Sequence, residues 1–101
     1  MNLQQINQAR QLKAKFDQAQ KELKRMQVEG EAGEGVVKVV VNGEQRIVSV
    51  SIAPEATNPK NVKQLEQLIL KAVNDAQEKA QKAAAQQLKE LTGGLRIPGL
   101  F

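Results

Sequence analysis

The feature that most constrains this chain is a run of β-branched residues broken by one turn and bracketed by two long polar segments. Val36-Val37-Lys38-Val39-Val40-Val41 leads into Asn42-Gly43, and a second run follows from Glu44 to Ile52. Asn-Gly between such runs is the strongest short-range hairpin signal. With Val28 to Gly35 ahead of it, the stretch predicts a β-meander over 28–53. Val37, Val39 and Val41 share one face, and Val48, Val50 and Ile52 share one face of the return strand. A two-residue loop pairs Val37 with Val48. A four-residue loop pairs Val39 with Val48 and Val37 with Val50. Both keep the apolar faces together, so the register stays open. The opposite face carries Val36, Val40 and Ile47 beside Lys38, Ser49 and Ser51, which calls for a cover from helix two or a second subunit.

The flanking segments read as helices too long for so small a sheet. Over residues 3–27, Ala9, Leu12, Phe16, Ala19, Leu23 and Met26 recur at steps of three and four. Such a helix is roughly 37 Å long. Its C-terminal half can cover the sheet; its N-terminal half overhangs and needs a partner. A second helix is expected over 59–91, with Asn58 as cap and Pro59 at its first position. Its stripe of Val62, Leu65, Ile69, Val73, Ala76, Ala80, Ala84, Leu88 and Leu91 is aliphatic early and mostly alanine later. Alanines bury little area, so this half is not expected to rest securely on its own sheet, and homodimerisation is the economical answer. Val36, Val40, Ile47, Ala76, Ala80 and Ala84 are the candidate dimerisation residues. Thr92-Gly93-Gly94 stops the helix, and an apolar tail runs to Phe101. All 101 residues fit one domain.

Composition removes most chemistry. The chain has no His, Cys, Tyr or Trp, and its hydroxyl groups are limited to Ser49, Ser51, Thr57 and Thr92. A nucleophile with a His base is impossible, and thiolate or imidazole metal sites are excluded. The Gly30-Glu31-Ala32-Gly33-Glu34-Gly35 segment invites a phosphate-cradle reading. Its glutamates would repel phosphate and no Gly-Lys-Ser/Thr follows, so its glycines are expected to serve turns and bulges. Glu29 and Glu31 could form a carboxylate pair, but charges protecting an edge strand are the commoner explanation. No catalytic residue, metal, cofactor or small-molecule substrate is implied. No apolar run approaches the roughly 18 residues of a membrane span, and the N-terminus lacks a signal-peptide plan, so a cytoplasmic protein is the default.

Charge points to an anionic partner. Net charge is +4, and the pI is near 9.6. Residues 1–27 hold six Lys/Arg against two acids and residues 60–101 hold seven against four, whereas residues 28–59 hold two against five. The helices are therefore the basic surface. Lys60, Lys71, Lys82 and Lys89 fall within about 20° of one another, opposite the apolar stripe. Arg10, Lys21 and Arg25 stand on the outer face of helix one. Asp17–Lys21, Asp75–Lys79 and Glu78–Lys82 also make i,i+4 pairs, as on any solvated helix. No aromatic platform exists for base stacking, and there is no helix-turn-helix to read base edges. Binding would be phosphate-driven, salt-sensitive and weakly selective. The alternative is a protein-interaction module that uses the helical seams, its basic charge being solubilising.

The Val28-Glu29-Gly30-Glu31-Ala32-Gly33-Glu34-Gly35-Val36-Val37-Lys38-Val39 run, the Asn42-Gly43 turn, Ala72-Val73-Asn74-Asp75-Ala76 and the Pro98-Gly99 tail resemble the YbaB/EbfC family of bacterial nucleoid-associated proteins. The resemblance covers nearly the whole chain. It implies an α+β protomer of order α-β-β-β-α, with a three-stranded antiparallel sheet between two long helices. It also implies an intertwined, tweezers-like homodimer that binds double-stranded DNA, organises the nucleoid and affects gene expression, without a catalytic site. The N-terminus here is Gln-rich where the family's is Met- and Gly-rich. The DNA-contacting residues expected are Arg10, Lys21, Arg25, Lys71, Lys82 and Lys89.

Overall fold

A computed structural model describes residues 2–91. Helix α1 spans Leu3–Arg25, strands β1, β2 and β3 span Val28–Ala32, Val37–Val41 and Ile47–Ile52, and helix α2 spans Val62–Leu91. The order is α-β-β-β-α, as expected. The expected apolar tail, residues 92–101, lies outside the described residues.

Each helix begins on a polar side chain. Asn2 Oδ1 accepts from Gln5 N at 2.9 Å, capping α1, and Lys24 and Arg25 complement the dipole of its last turn. Helix α2 starts later than expected. Asn58 Oδ1 accepts from Lys60 N at 3.0 Å, so it organises a turn ahead of the helix. Asn61 holds the position before the first helical residue, and its Nδ2 donates to Gln64 Oε1 at 2.7 Å. Pro54–Ala56 forms a 3-10 turn in the preceding loop.

The sheet is antiparallel throughout, with β2 in the centre. The hairpin register is neither of the two that its loop allowed. Val37 pairs with Ile52, Val39 with Val50 and Val40 with Ser49, and a bulge then brings Ile47 opposite Val41. The reason lies in the loop. Asn42 N donates to Arg46 O at 2.9 Å and Gln45 N to Asn42 O at 3.1 Å, with Gln45 at φ +70°. The extra residue in left-handed geometry lengthens the connection and creates the bulge. The bulge also moves Ile47 from the back of the sheet to a place opposite buried Val41, away from Val36 and Val40.

The core is small and close-set. Val37, Val39 and Val41 on β2 and Ala72, Ala76 and Ala80 on α2 are all fully buried. This reverses the expectation for the alanine half of α2, where Ala76 and Ala80 are sealed against the chain's own sheet. Gly30, inside β1, is the reason. A Cβ there would lie 2.3 Å from Ala76 N and 2.6 Å from Ala72 O. Gly30 therefore serves close helix–strand approach and not a turn, and only alanines on the facing helix permit that approach. Gly43 acts similarly. Its φ is not left-handed; it lies against Leu23 and donates to Leu23 O at 2.8 Å, tying the hairpin to α1.

Candidate nucleic-acid interface

Where the two helices run is set by three contacts along α2. Glu22 of α1 accepts a hydrogen bond from Gln87 Nε2, Gly30 lies at Ala72 and Ala76, and Gly33 lies at Leu68. As α1 and β1 run forward they pass down α2 from its C-terminal end, so the helices are antiparallel. Of α1, Ala19 is buried, whereas Leu12 is 55% and Phe16 50% exposed. The N-terminal part of α1 thus projects beyond α2 as a single-helix arm. The overhang expected from the length mismatch is present, and the molecule is 69 Å long but 19 Å and 17 Å across.

The candidate cations stand in solvent. Arg10, Lys21 and Arg25 on α1, and Lys71, Lys82 and Lys89 on α2, are all exposed. Lys71, Lys82 and Lys89 line one row about 27 Å long at the helical rise. Their row lies opposite the stripe that buries Ala72, Ala76 and Ala80. Lys60, by contrast, falls in the turn before α2 and leaves the row. Arg10 sits on the projecting arm, about 16 Å along the axis from Lys21. Three more exposed cations, Lys13, Lys15 and Lys24, share α1 with them; the high basic count of residues 1–27 was the signal for these. Lys82 Nζ lies 3.6 Å from Glu78, both well exposed, an interaction weak enough to yield to a phosphate. Asp75–Lys79 closes at 3.1 Å. Asp17–Lys21 is not among the ion pairs of the described residues.

Asp75 has a structural task as well. It accepts from Glu31 N at 3.1 Å, tying β1 to α2. That backbone hydrogen bond, and secondarily Lys79, holds its carboxyl below the ordinary range. Glu29 and Glu31 lie on the sheet face away from α2, and Glu29 pairs with Lys38 at 3.8 Å. That is the edge-strand role, not a carboxylate dyad. Among the described residues no group of three acidic side chains gathers to hold a metal, and no helix is long and apolar enough to cross a membrane.

The candidate dimerisation residues separate. Ala76 and Ala80 are sealed inside the protomer and present no surface to a second copy. Val36 is half-buried and packs on the same core; Val40 and Ala84 are half-buried. Ile47 is 51% exposed, and with it stand Val48, Val50 and Ile52 of β3. Val50 and Ile52 share a sheet face with Val39 and Val37, as the pairing of apolar faces implies, but α2 covers β1 and β2 and leaves β3 bare. Leu70 and Val62 of α2 are exposed too.

A helix, a three-stranded antiparallel meander and a second helix, with cations on both outer helical faces, define an α+β protein with a basic helical surface. The chain belongs to the YbaB/EbfC DNA-binding family, whose sequence model matches residues 1–95. It is 52% identical over 82 residues to a nucleoid-associated protein of Pelotomaculum thermopropionicum, covering 81% of this chain and 78% of the relative. It is 42% identical to a nucleoid-associated protein of Chloroflexus aurantiacus over the full length of both. An uncharacterised Helicobacter pylori protein shares the fold, with a TM-score of 0.76 at 19% identity, over 92% of this chain and 99% of the other.

Proposed function

We propose that this chain is a non-enzymatic, homodimeric protein that binds double-stranded DNA with low sequence selectivity, organising the nucleoid and influencing gene expression. The observation that carries the reading is the placement of Arg10, Lys21, Arg25, Lys71, Lys82 and Lys89, all exposed on the sides of the helices turned away from the core. Charges so placed reach phosphates without disturbing the fold, and they are flanked by no aromatic or Asn/Arg cluster that reads bases. Family membership and the names of the relatives point the same way.

Dimerisation is supported by β3. It is an edge strand of six residues, Ile-Val-Ser-Val-Ser-Ile, with every residue exposed and no charge. An uncharged apolar edge is a template for pairing, and single chains that stay monomeric blunt such edges. A second copy covering β3, with Ile47 and Val50 in the contact, removes the liability and doubles the basic surface.

Fluorescence anisotropy against two unrelated duplexes, titrated at several salt concentrations, tests the DNA reading. Comparable affinities with a steep negative dependence on salt are expected. If six phosphates are engaged, affinity falls by about 10³ between 50 and 200 mM salt. Absence of binding at low salt overturns the proposal.

A further inference from the structure

One covalent reaction is poised in the hairpin loop and held off by α1. Asn42-Gly43 is the chain's only Asn-Gly pair. Such a pair is prone to spontaneous deamidation, because glycine has no Cβ to hinder its nitrogen. In that reaction the Gly43 nitrogen gives its proton to base and bonds to Asn42 Cγ. The Cγ–Nδ2 bond breaks, ammonia leaves, and a five-membered succinimide remains. Water then opens the ring. Attack at Cγ yields aspartate, and attack at the main-chain carbonyl yields isoaspartate, whose chain runs through the side-chain carbons.

The structure holds the two reacting groups in opposite states. The electrophile is ready. Asn42 Oδ1 accepts from Glu44 N at 2.9 Å and from Arg46 N at 3.0 Å. Two main-chain donors on that oxygen polarise Cγ and would take up the charge that builds there during attack. The nucleophile is not ready. Gly43 N donates to Leu23 O at 2.8 Å, so its proton is engaged, and once deprotonated it would face a carbonyl oxygen. Leu23 also crowds Gly43, since a Cβ there would lie 2.8 Å from Leu23 Cδ2. Yet the helix that supplies Leu23 is lightly held, Ala19 being its one buried residue. Its end can therefore open locally without unfolding the core between α2 and the sheet. We infer that Asn42-Gly43 is a modification site gated by α1, intact while Leu23 O holds Gly43 N and deamidated when the C-terminal end of α1 lifts. Isoaspartate adds a carbon to the main chain between Asn42 N, which donates to Arg46 O, and Gly43 N, which donates to Leu23 O. The two contacts then no longer fit together, and α1 is released irreversibly.

The full-length protein and a peptide of residues 41–47 are incubated side by side at mildly alkaline pH, and isoaspartate at position 42 is followed by peptide mapping. Deamidation in the protein should be at least about a hundredfold slower than in the peptide. Hydrogen exchange of the Gly43 amide needs the same release from Leu23 O. Ala19→Asp puts a charge into the seat of α1 and should speed both reactions by about tenfold, while exchange over 68–80 stays as it was. Urea below the unfolding transition gives a readout on the unaltered chain, in which the two rates should rise in proportion. Deamidation of the native chain at the peptide's rate overturns the inference. So does a folded Ala19→Asp chain, or a urea series, in which deamidation does not rise. Neither readout depends on DNA.

Discussion

Gly30→Ala is the most informative single change, because its added methyl has nowhere to go. The new Cβ would stand 2.3 Å from Ala76 N, 2.6 Å from Ala76 Cα and 2.6 Å from Ala72 O. All three are backbone atoms of α2, which no rotamer change can move. Carbon contacts are comfortable near 3.5–4.0 Å, so α2 must retreat by about 1 Å. That retreat opens the contacts of Ala72, Ala76 and Ala80 with Val37, Val39 and Val41, the whole fully buried set. Overpacking alone costs about 1–3 kcal/mol, and a gap of this size forfeits a quarter to a half of each facing contact. A loss of about 3–4 kcal/mol follows, against a stability of about 5–15 kcal/mol for a domain. Urea unfolding followed by far-UV circular dichroism, at one fixed protomer concentration, measures it. Adding Ala76→Gly should not rescue the variant, since it removes a side chain and not the atoms that clash. A loss below about 1 kcal/mol, or full rescue by Ala76→Gly, would refute this account of the helix–sheet contact.

Four further outcomes follow from named contacts. Val50→Glu leaves the buried set intact but charges the bare strand, so sedimentation velocity should show dissociation to protomers; an unchanged dimer would move the interface elsewhere. Lys71→Gln in a dimer removes two phosphate contacts and should flatten the log–log salt slope by about two units equally for unrelated duplexes; a loss confined to one sequence would contradict phosphate-driven binding. Asp75 has its folded pKa lowered by Glu31 N and Lys79, so its stabilisation is present above the ordinary carboxylate range and lost as pH falls through the lowered value. Asp75→Asn should therefore be less stable near neutrality, and thermal melts should show the difference shrinking below about pH 4. Gln45→Gly relieves a left-handed backbone at φ +70° and should stabilise the hairpin by about 1 kcal/mol in urea unfolding.

Local pattern determined the element order, the antiparallel hairpin and the overhang of α1, because side-chain periodicity and turn chemistry act over a few residues. The same periodicity placed Arg10, Lys21, Arg25, Lys71, Lys82 and Lys89 away from the apolar stripes. What pattern could not supply was which surface each apolar face meets. Val50 and Val39 look alike in sequence, yet one is exposed and the other sealed, since a single helix is wide enough for two strands and not three. Ala76 and Ala80 look like a weak stripe awaiting a second subunit. They become the protomer's own core only because Gly30, 46 and 50 residues away in the chain, lets the helix come close. The hairpin register likewise turned on Gln45 adopting left-handed geometry, which no residue preference announces. Distance along the chain is the common cause: contacts made between remote segments are decided by tertiary packing, and the sequence names the pieces without saying which will touch.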